Sequence, residues 1–234
     1  MDSAVAPIVV ATDLSPGSGA ALVAAHERGR RTGAPLLVCH VMADDSSRLS
    51  PLFPHQHQLF EDATELVAAR RSVRAQVSAA TQRSGADYDL HVSCGVPSAV
   101  IAQLAEDEGA ALIVVGCGSK GLIARTILGS TTEQLAKMSP TSLLVVREGH
   151  GGDNVVAPTN LSGSHGRAIR VARDEAERRH SKVIVVSAED PVTAATDQIA
   201  SLIVIDDDSV DDDALDIVQR APCSVLVLRG TAEF

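Results

Sequence analysis

Short runs of Val, Ile and Leu alternate along this chain with stretches whose apolar residues recur at helical spacing, and that alternation admits few architectures. A strand buried on both faces reads as a near-continuous apolar run, so the pattern specifies a parallel sheet covered by helices. The runs are Ile8 to Ala11, Leu36 to Val41, Leu90 to Ser93, Leu112 to Val115 and Leu143 to Val146. Between them, Gly17 to Thr32 places Ala21, Leu22, Ala25 and Gly29 on adjacent turns, with Ser15 before Pro16 as a cap. A longer helix is predicted from Gln58 to about Ser84. A third begins at Pro97 with Ala99, Val100, Gln103 and Leu104 on successive turns, and a fourth follows Gly129 to Met138. The alternation of strand and helix predicts a five-stranded, doubly wound, Rossmann-like α/β domain.

The chain then echoes itself. "VVATDLSPGS" from Val9 returns as "VVAPTNLSGS" from Val155, "PSAVIAQLAEDEGAALIVVG" from Pro97 as "PVTAATDQIASLIVID" from Pro191, and "MSPTSLLVVREG" from Met138 as "RAPCSVLVLRG" from Arg220. Three echoes in one order predict two tandem copies of the fold, 1–148 and 149–234, joined by the Gly-rich stretch Glu148 to Asp153. The second copy is shorter: residues 42 to 110 separate strands two and four in the first, whereas only 189 to 200 do so in the second. Such a gap holds one short helix, so the second copy is expected to be a degenerate sheet of about four strands that leans on the first. The last strands, Ser142 to Arg147 and Ser224 to Arg229, are edge candidates expected to lie side by side across a pseudo-twofold axis.

Composition narrows the function. With no Trp, one Tyr and three Phe, stacking platforms for sugars or single-stranded nucleic acid have no material, and a net charge of −10 repels phosphate backbones. The expectation is therefore no nucleic-acid partner. No apolar run approaches the roughly 20 residues of a membrane span, and the acidic N-terminus lacks a signal-peptide layout, which predicts a cytoplasmic protein with no membrane partner. Cys39, Cys94, Cys117 and Cys223 are scattered and read as reduced, mostly buried thiols. His55 and His57 lack a third partner for a metal, and His40 reads as a packed strand histidine.

A doubly wound sheet binds ligands at the carboxyl ends of its strands, where strand order reverses. The loops meeting there are Ala11, Thr12 and Asp13 to Ser15; Val41 to Asp44; and the segment from Val115 and Gly116 to Thr131. The last holds Gly116, Gly118, Gly121 and Gly129, with Lys120 and Arg125 as its cations, before Ser130 and Thr131 open a helix. Glycines admit close backbone approach to phosphate and the helix end adds positive potential. Asp13 also reads as an Asx turn, and Ser130 with Glu133 as a capping box, neither of which needs a ligand.

The phrases "VVATDLS", "LLVCHV", "VSCGVPSAVI" and "ALIVVGCGSKGLIARTILGSTTEQLAKMSPTSLLVVR" resemble the universal stress protein family across 1–148, and more weakly across 154–230. The resemblance implies the five-stranded fold, dimerisation through the last strand, and either ATP binding or its loss. The ATP-binding pattern, Gly, two residues, Gly, nine residues, Gly-Ser, is met by Gly116, Ser119 and Gly129-Ser130, with Ser119 replacing the second glycine. Starting at Gly118 instead gives Gly118 and Gly121 but shortens the following gap. The resemblance then implies Asp13 beside the adenosine, Val41 as an apolar wall for adenine, and Gly116, Ser119, Gly129, Ser130 and Thr131 as the triphosphate cradle, with Mg²⁺ accompanying the nucleotide.

The same resemblance implies an ATP-binding stress-response regulator whose second half is a built-in pseudo-dimer partner, with a homodimer as a further option; the alternative is a nucleotide-independent interaction scaffold. No nucleophile–base pair or metal motif is placed by the sequence, so catalysis beyond slow ATP hydrolysis is not expected. The second half is expected to be blind to nucleotide. Asn160 stands where Asp13 does, behind an extra Pro158, and six carboxylates, Asp206, Asp207, Asp208, Asp211, Asp212 and Asp213, replace the Gly-rich loop. A divalent-ion site is the alternative for this run, although it lacks the calcium-loop glycine and terminal Glu.

Overall fold

The computed structural model describes residues 5–43, 58–82, 87–117, 128–148, 152–159, 166–187, 190–206 and 212–230. Its elements follow the alternation read from the sequence: β1 Ile8–Ala11, α1 Pro16–Thr32, β2 Leu36–Ala43, α2 Gln58–Thr81, β3 Asp89–Gly95, α3 Pro97–Asp107, β4 Leu112–Gly116, α4 Ser130–Met138 and β5 Ser142–Val146. The second part contributes β6 Asn154–Pro158, α5 Arg167–Arg179, β7 Val183–Val186, α6 Pro191–Asp197, β8 Ala200–Asp206, α7 Asp212–Arg220 and β9 Ser224–Leu228.

All strands join one nine-stranded sheet in the order β3-β2-β1-β4-β5-β9-β8-β6-β7. Strand order reverses between β1 and β4, and again between β6 and β8, so each part carries a crevice of the doubly wound kind. Neighbours are parallel except at the join, where β5 and β9 run antiparallel with Leu144 opposite Leu226. The two last strands therefore lie side by side, as expected of two apolar edge candidates.

The core has two layers, and neither stops at that join. On one side Val9, Ile113, Leu143 and Val145 continue into Ile203, Val225 and Val227 beneath α3, α4, α6 and α7. On the other, Val10, Val114 and Leu144 continue into Leu226, Val204 and Val155 beneath α1, α2 and α5. Each fully buried aliphatic side chain is worth about 1.5–3 kcal/mol, so a shared core of this kind couples the two parts strongly.

Local chemistry sets the element ends. Helix α1 begins where the Ser15 hydroxyl accepts from Ser18 N–H at 3.3 Å with Pro16 in the first turn, and stops where Gly33 turns left-handed at φ 74° and returns its N–H to Gly29. Its inner face is Ala21, Leu22, Ala25 and Arg28, with Arg28 rather than Gly29 at the fully buried position. Helix α3 likewise buries Ser98, Ile101, Leu104 and Ala105; of the Ala99, Val100, Gln103 and Leu104 positions expected from spacing only Leu104 lies on this face, which is turned toward β2 and α4.

Register corrects one detail of the internal repeat. Ile8 pairs Leu36 and Leu112, while Val155 pairs Val183 and Leu202, so Val155 corresponds to Ile8 and Pro158 to Ala11. Pro158 is thus not an insertion. The offset is absorbed at the start of β6, where the pairing with β8 is irregular between Asn154 and Val155. None of the four thiols is in a disulfide, but Cys94 is exposed and Cys117 half-buried, so only Cys39 and Cys223 are core cysteines. No helix among the described residues is long and apolar enough to cross a membrane.

Candidate functional site

A cavity of about 420 Å³ opens at the first crevice. Ala11, Thr12 and Asp13 bound it from the end of β1, Val41 from β2, Val115 and Gly116 from β4, and Gly129, Ser130 and Thr131 from the entry to α4. Gly118 and Ser119, together with Lys120, Gly121 and Arg125, lie outside the described residues, as do Asp44, His55, His57, Ser84, Gly149 and Gly151 of the linker, Asn160 and the run 207–211.

Its two ends differ in chemistry. Val41, Pro97, Ile101 and Leu128 give an apolar end, backed by Cys39, whose thiol burial pushes up to about 12 and so keeps it inert. The other end is hydroxyl-rich and faces the first turn of α4. Gly129 is the cap residue of that helix and no side chain caps it, which corrects the expected Ser130–Glu133 capping box. Ser130 is instead the first helical residue, and Glu133 pairs with Lys137 at 3.1 Å. Among the described residues the α4 turn therefore presents N–H donors without a side-chain acceptor of their own, in the orientation that favours an anion.

The two glycines of this region serve different ends. A Cβ on Gly116 would lie 2.3 Å from Gly17 O, so β4 can pass the first turn of α1 only with glycine there. A Cβ on Gly129 would meet nothing within 4 Å among the described residues, and its backbone is ordinary extended conformation at φ −67°. Of these two, Gly129 is the one that leaves space open to something else among the described residues. Thr132 fixes the two segments together by donating its hydroxyl to Gly116 O at 3.3 Å.

The β1–α1 loop is held by a network that the sequence did not reveal. The Thr12 hydroxyl donates to Gln76 Oε1 at 2.5 Å, and Gln76 Nε2 donates to Ser15 O at 2.9 Å. His40 Nδ1 donates to Thr12 O at 2.8 Å, fixing the Nδ1–H tautomer because a carbonyl only accepts. Leu14, left-handed at φ 65°, returns its N–H to Thr12 Oγ1 at 3.0 Å, and this offsets part of a strain of about 1–2 kcal/mol. Gln76 shares a helix face with the buried Val73 and Val77, and a glutamine at that spacing was the available signal.

Asp13 is held as an Asx turn, accepting Ser15 N–H at 3.0 Å. Burial raises its carboxyl, but hydrogen bonds from the side chain and N–H of Ser15, and from Ser18, outweigh that and hold it below the ordinary aspartate range. It is an anionic acceptor at the cavity rim, suited to hydroxyl groups on a ligand. Taken together, the cavity can receive a molecule with a flat apolar end, hydroxyls in its middle and an anionic tail.

The model for the universal stress protein family matches residues 5–147, more than half of the chain, and the chain belongs to that family. A universal stress protein of Mycobacterium tuberculosis is 28% identical over 196 residues, covering 77% of this chain and 63% of that protein. A Mycobacterium bovis relative matches to the same extent. The chain thus spans less than two thirds of the length of these curated relatives. Among solved structures, a universal stress protein from Archaeoglobus fulgidus superposes with a TM-score of 0.68 at 16% identity, covering 95% of this chain and 98% of that one. A functionally unknown protein from Pseudomonas aeruginosa gives 0.66 at 15% identity, covering 95% and 92%. These likenesses carry the fold.

Proposed function

We propose that this chain is a stress-response regulator that binds one adenine nucleotide, ATP with Mg²⁺, in the cavity of residues 1–148. The observation that carries the reading is the pairing of an apolar slot at Val41 and Ile101 with the uncapped first turn of α4, bridged by the ionised Asp13. The slot suits adenine, Asp13 the ribose hydroxyls, and the N–H groups beside Gly129, Ser130 and Thr131 the phosphates. Among the described lining residues none is a nucleophile paired with a base, so the role assigned is binding, with at most slow hydrolysis.

In this reading residues 149–234 carry no nucleotide site and serve as a built-in partner across β5 and β9. By register, Gly116 opposite Val146 corresponds to Asp206 opposite Leu228. A buried carboxylate therefore stands where the first half needs glycine, and Arg167 at the start of α5 lies 3.6 Å from it. An ion pair of the protein's own occupies that position, and the acidic residues that follow in sequence repel a triphosphate.

A nucleotide-independent scaffold is the second reading, favoured by Gly116, whose absence of a side chain is explained by α1 alone. Heat denaturation of freshly purified protein followed by ion-exchange chromatography of the supernatant separates the two. The binding reading expects ATP or ADP in the supernatant, or uptake of added ATP by the nucleotide-free protein. Absence of both leaves the scaffold.

A further inference from the structure

Thr12 to Ser15 carry the chain from β1 into α1 along the rim of the cavity, and Asp13 is the charged residue among them. Leu14 is left-handed at φ 65° although it is 38% exposed, so packing does not impose its conformation. A strained backbone of this kind persists only where its surroundings over-determine it.

The restraint comes from one side chain on another helix. Gln76 Nε2 donates to Ser15 O at 2.9 Å and to Ser18 Oγ at 3.2 Å, and because a carbonyl only accepts, the first bond fixes which way the amide is turned. Its Oε1 therefore faces the Thr12 hydroxyl, which donates to it at 2.5 Å and is left to accept the Leu14 N–H at 3.0 Å. Asp13 in turn accepts the N–H of Ser15. Gln76 thus binds both ends of the loop, and Asp13 lies between them. Val73 and Val77, buried beside it on α2, hold that helix against α1.

The second half provides a comparison within the chain. Thr12 donates its N–H to Cys39 O at 2.9 Å and Thr159 donates its own to Val186 O at 2.8 Å, so the two threonines occupy the same place after β1 and β6. Among the described residues no helix like α2 stands between β7 and α6. The buried Thr159 hydroxyl has no hydrogen-bond partner among those residues. What sets the first half apart at this place is α2 and its glutamine.

We infer, resting on the nucleotide reading above, that Gln76 is a positioning residue of that site: from behind the loop it sets the direction in which Asp13 meets the ribose hydroxyls. A hydrogen bond weakens steeply as its distance and angle depart from the optimum, so a small shift of the loop is enough to lose it. The apolar slot and the first turn of α4 belong to other elements and keep their places. Loss of Gln76 therefore removes the part of the affinity that depends on ribose hydroxyls and spares the part that depends on base and phosphates.

Calorimetric titration of the full chain with ATP and with 2′,3′-dideoxy-ATP, each with Mg²⁺, tests this. The wild type is expected to bind ATP at least about tenfold more tightly than the dideoxy nucleotide. Gln76→Met, which keeps the length but neither hydrogen bond, should raise the dissociation constant for ATP by at least about tenfold and that for dideoxy-ATP by less than about threefold. In an Asp13→Ala background the same substitution should change ATP binding by less than about threefold, because the two residues act through one interaction. If Gln76→Met does not fold, Gln76→Glu decides: it keeps the acceptor for Thr12 but sets an oxygen against Ser15 O, and the same selective loss is expected. Equal weakening of both nucleotides marks a general packing role and overturns the inference, as does unchanged ATP binding. A wild type that binds both nucleotides equally overturns it while the nucleotide reading stands; a wild type that binds neither overturns both.

Discussion

Arg147 donates its backbone N–H to Ser224 Oγ at 3.1 Å, and its guanidinium to the carbonyls of Val218 and Gln219 at the end of α7. The relation is returned across the join. Arg229 donates its N–H to Ser142 Oγ at 3.0 Å, and its guanidinium to Leu135, Ala136 and Ser139 carbonyls at the end of α4. Each part thus supplies the cation that completes the last helix of the other, satisfying carbonyls that a helix end leaves open.

Removing one of these arginines strands partly buried carbonyls on the opposite part. Arg229→Ala is expected to lower stability by about 1.5–3 kcal/mol, and Arg229→Lys by less, as measured by urea denaturation. Because the core layers continue through the join, both variants should still unfold in one transition; two separated transitions would show that the parts are independent.

The same coupling appears at α1 and α5, where Arg28 and Glu175, 4% and 0% exposed, form a buried pair. Burial lowers the Arg28 pKa and the Glu175 carboxylate opposes that shift, so the charge depends on its partner. Glu175→Gln should cost about 3–5 kcal/mol by leaving the guanidinium uncompensated, whereas Arg28→Met with Glu175→Met should cost much less. A double-mutant cycle in urea measures the difference.

Much of this arrangement was legible in the sequence, for identifiable reasons. β1 is bounded as read because an apolar run between Pro7 and the polar Thr12 has no alternative, and Ser15-Pro16 marks the start of α1 by cap chemistry alone. The cavity's loops were located because strand order determines where loops of this fold converge. What escaped depends on distance in sequence: the Gln76 link to Thr12, the rotated face of α3, and the place of Pro158, which only strand register reveals. The capping box escaped for a local reason, since Gly129 in extended backbone ends the loop one residue before Ser130.

Gly116 and Gly129 should separate fold from binding. Gly116→Ala is expected to destabilise by about 3 kcal/mol, because a Cβ there overlaps the α1 backbone. Gly129→Ala should change stability by less than about 1 kcal/mol, since its Cβ has open space. Thermal melts of the nucleotide-free protein check both values.

Acid should weaken the β1–α1 loop through Asp13. Its pKa is lowered in the folded protein, so its contribution is present above the ordinary aspartate value of about 3.9 and is lost as pH falls through the folded value. Asp190 has the same sign, chiefly from the hydrogen bond donated by Arg220, but its exposed setting limits it to well under about 1 kcal/mol. Stability measured from pH 5 to about pH 2.5 should therefore fall less steeply for Asp13→Ala than for wild type, and a steeper fall would contradict this sign.

The central claim, one adenine-nucleotide site per chain in the crevice between β1 and β4, is tested most directly by isothermal titration calorimetry of the full chain with ATP and Mg²⁺. A single site is expected, weakened by Asp13→Ala and abolished by Gly129→Val, whose side chain would stand in the space a phosphate would take, with the thermal melt of the nucleotide-free variant checking that its fold is retained. No heat and no thermal shift at millimolar ATP, or two equivalents bound per chain, would contradict it.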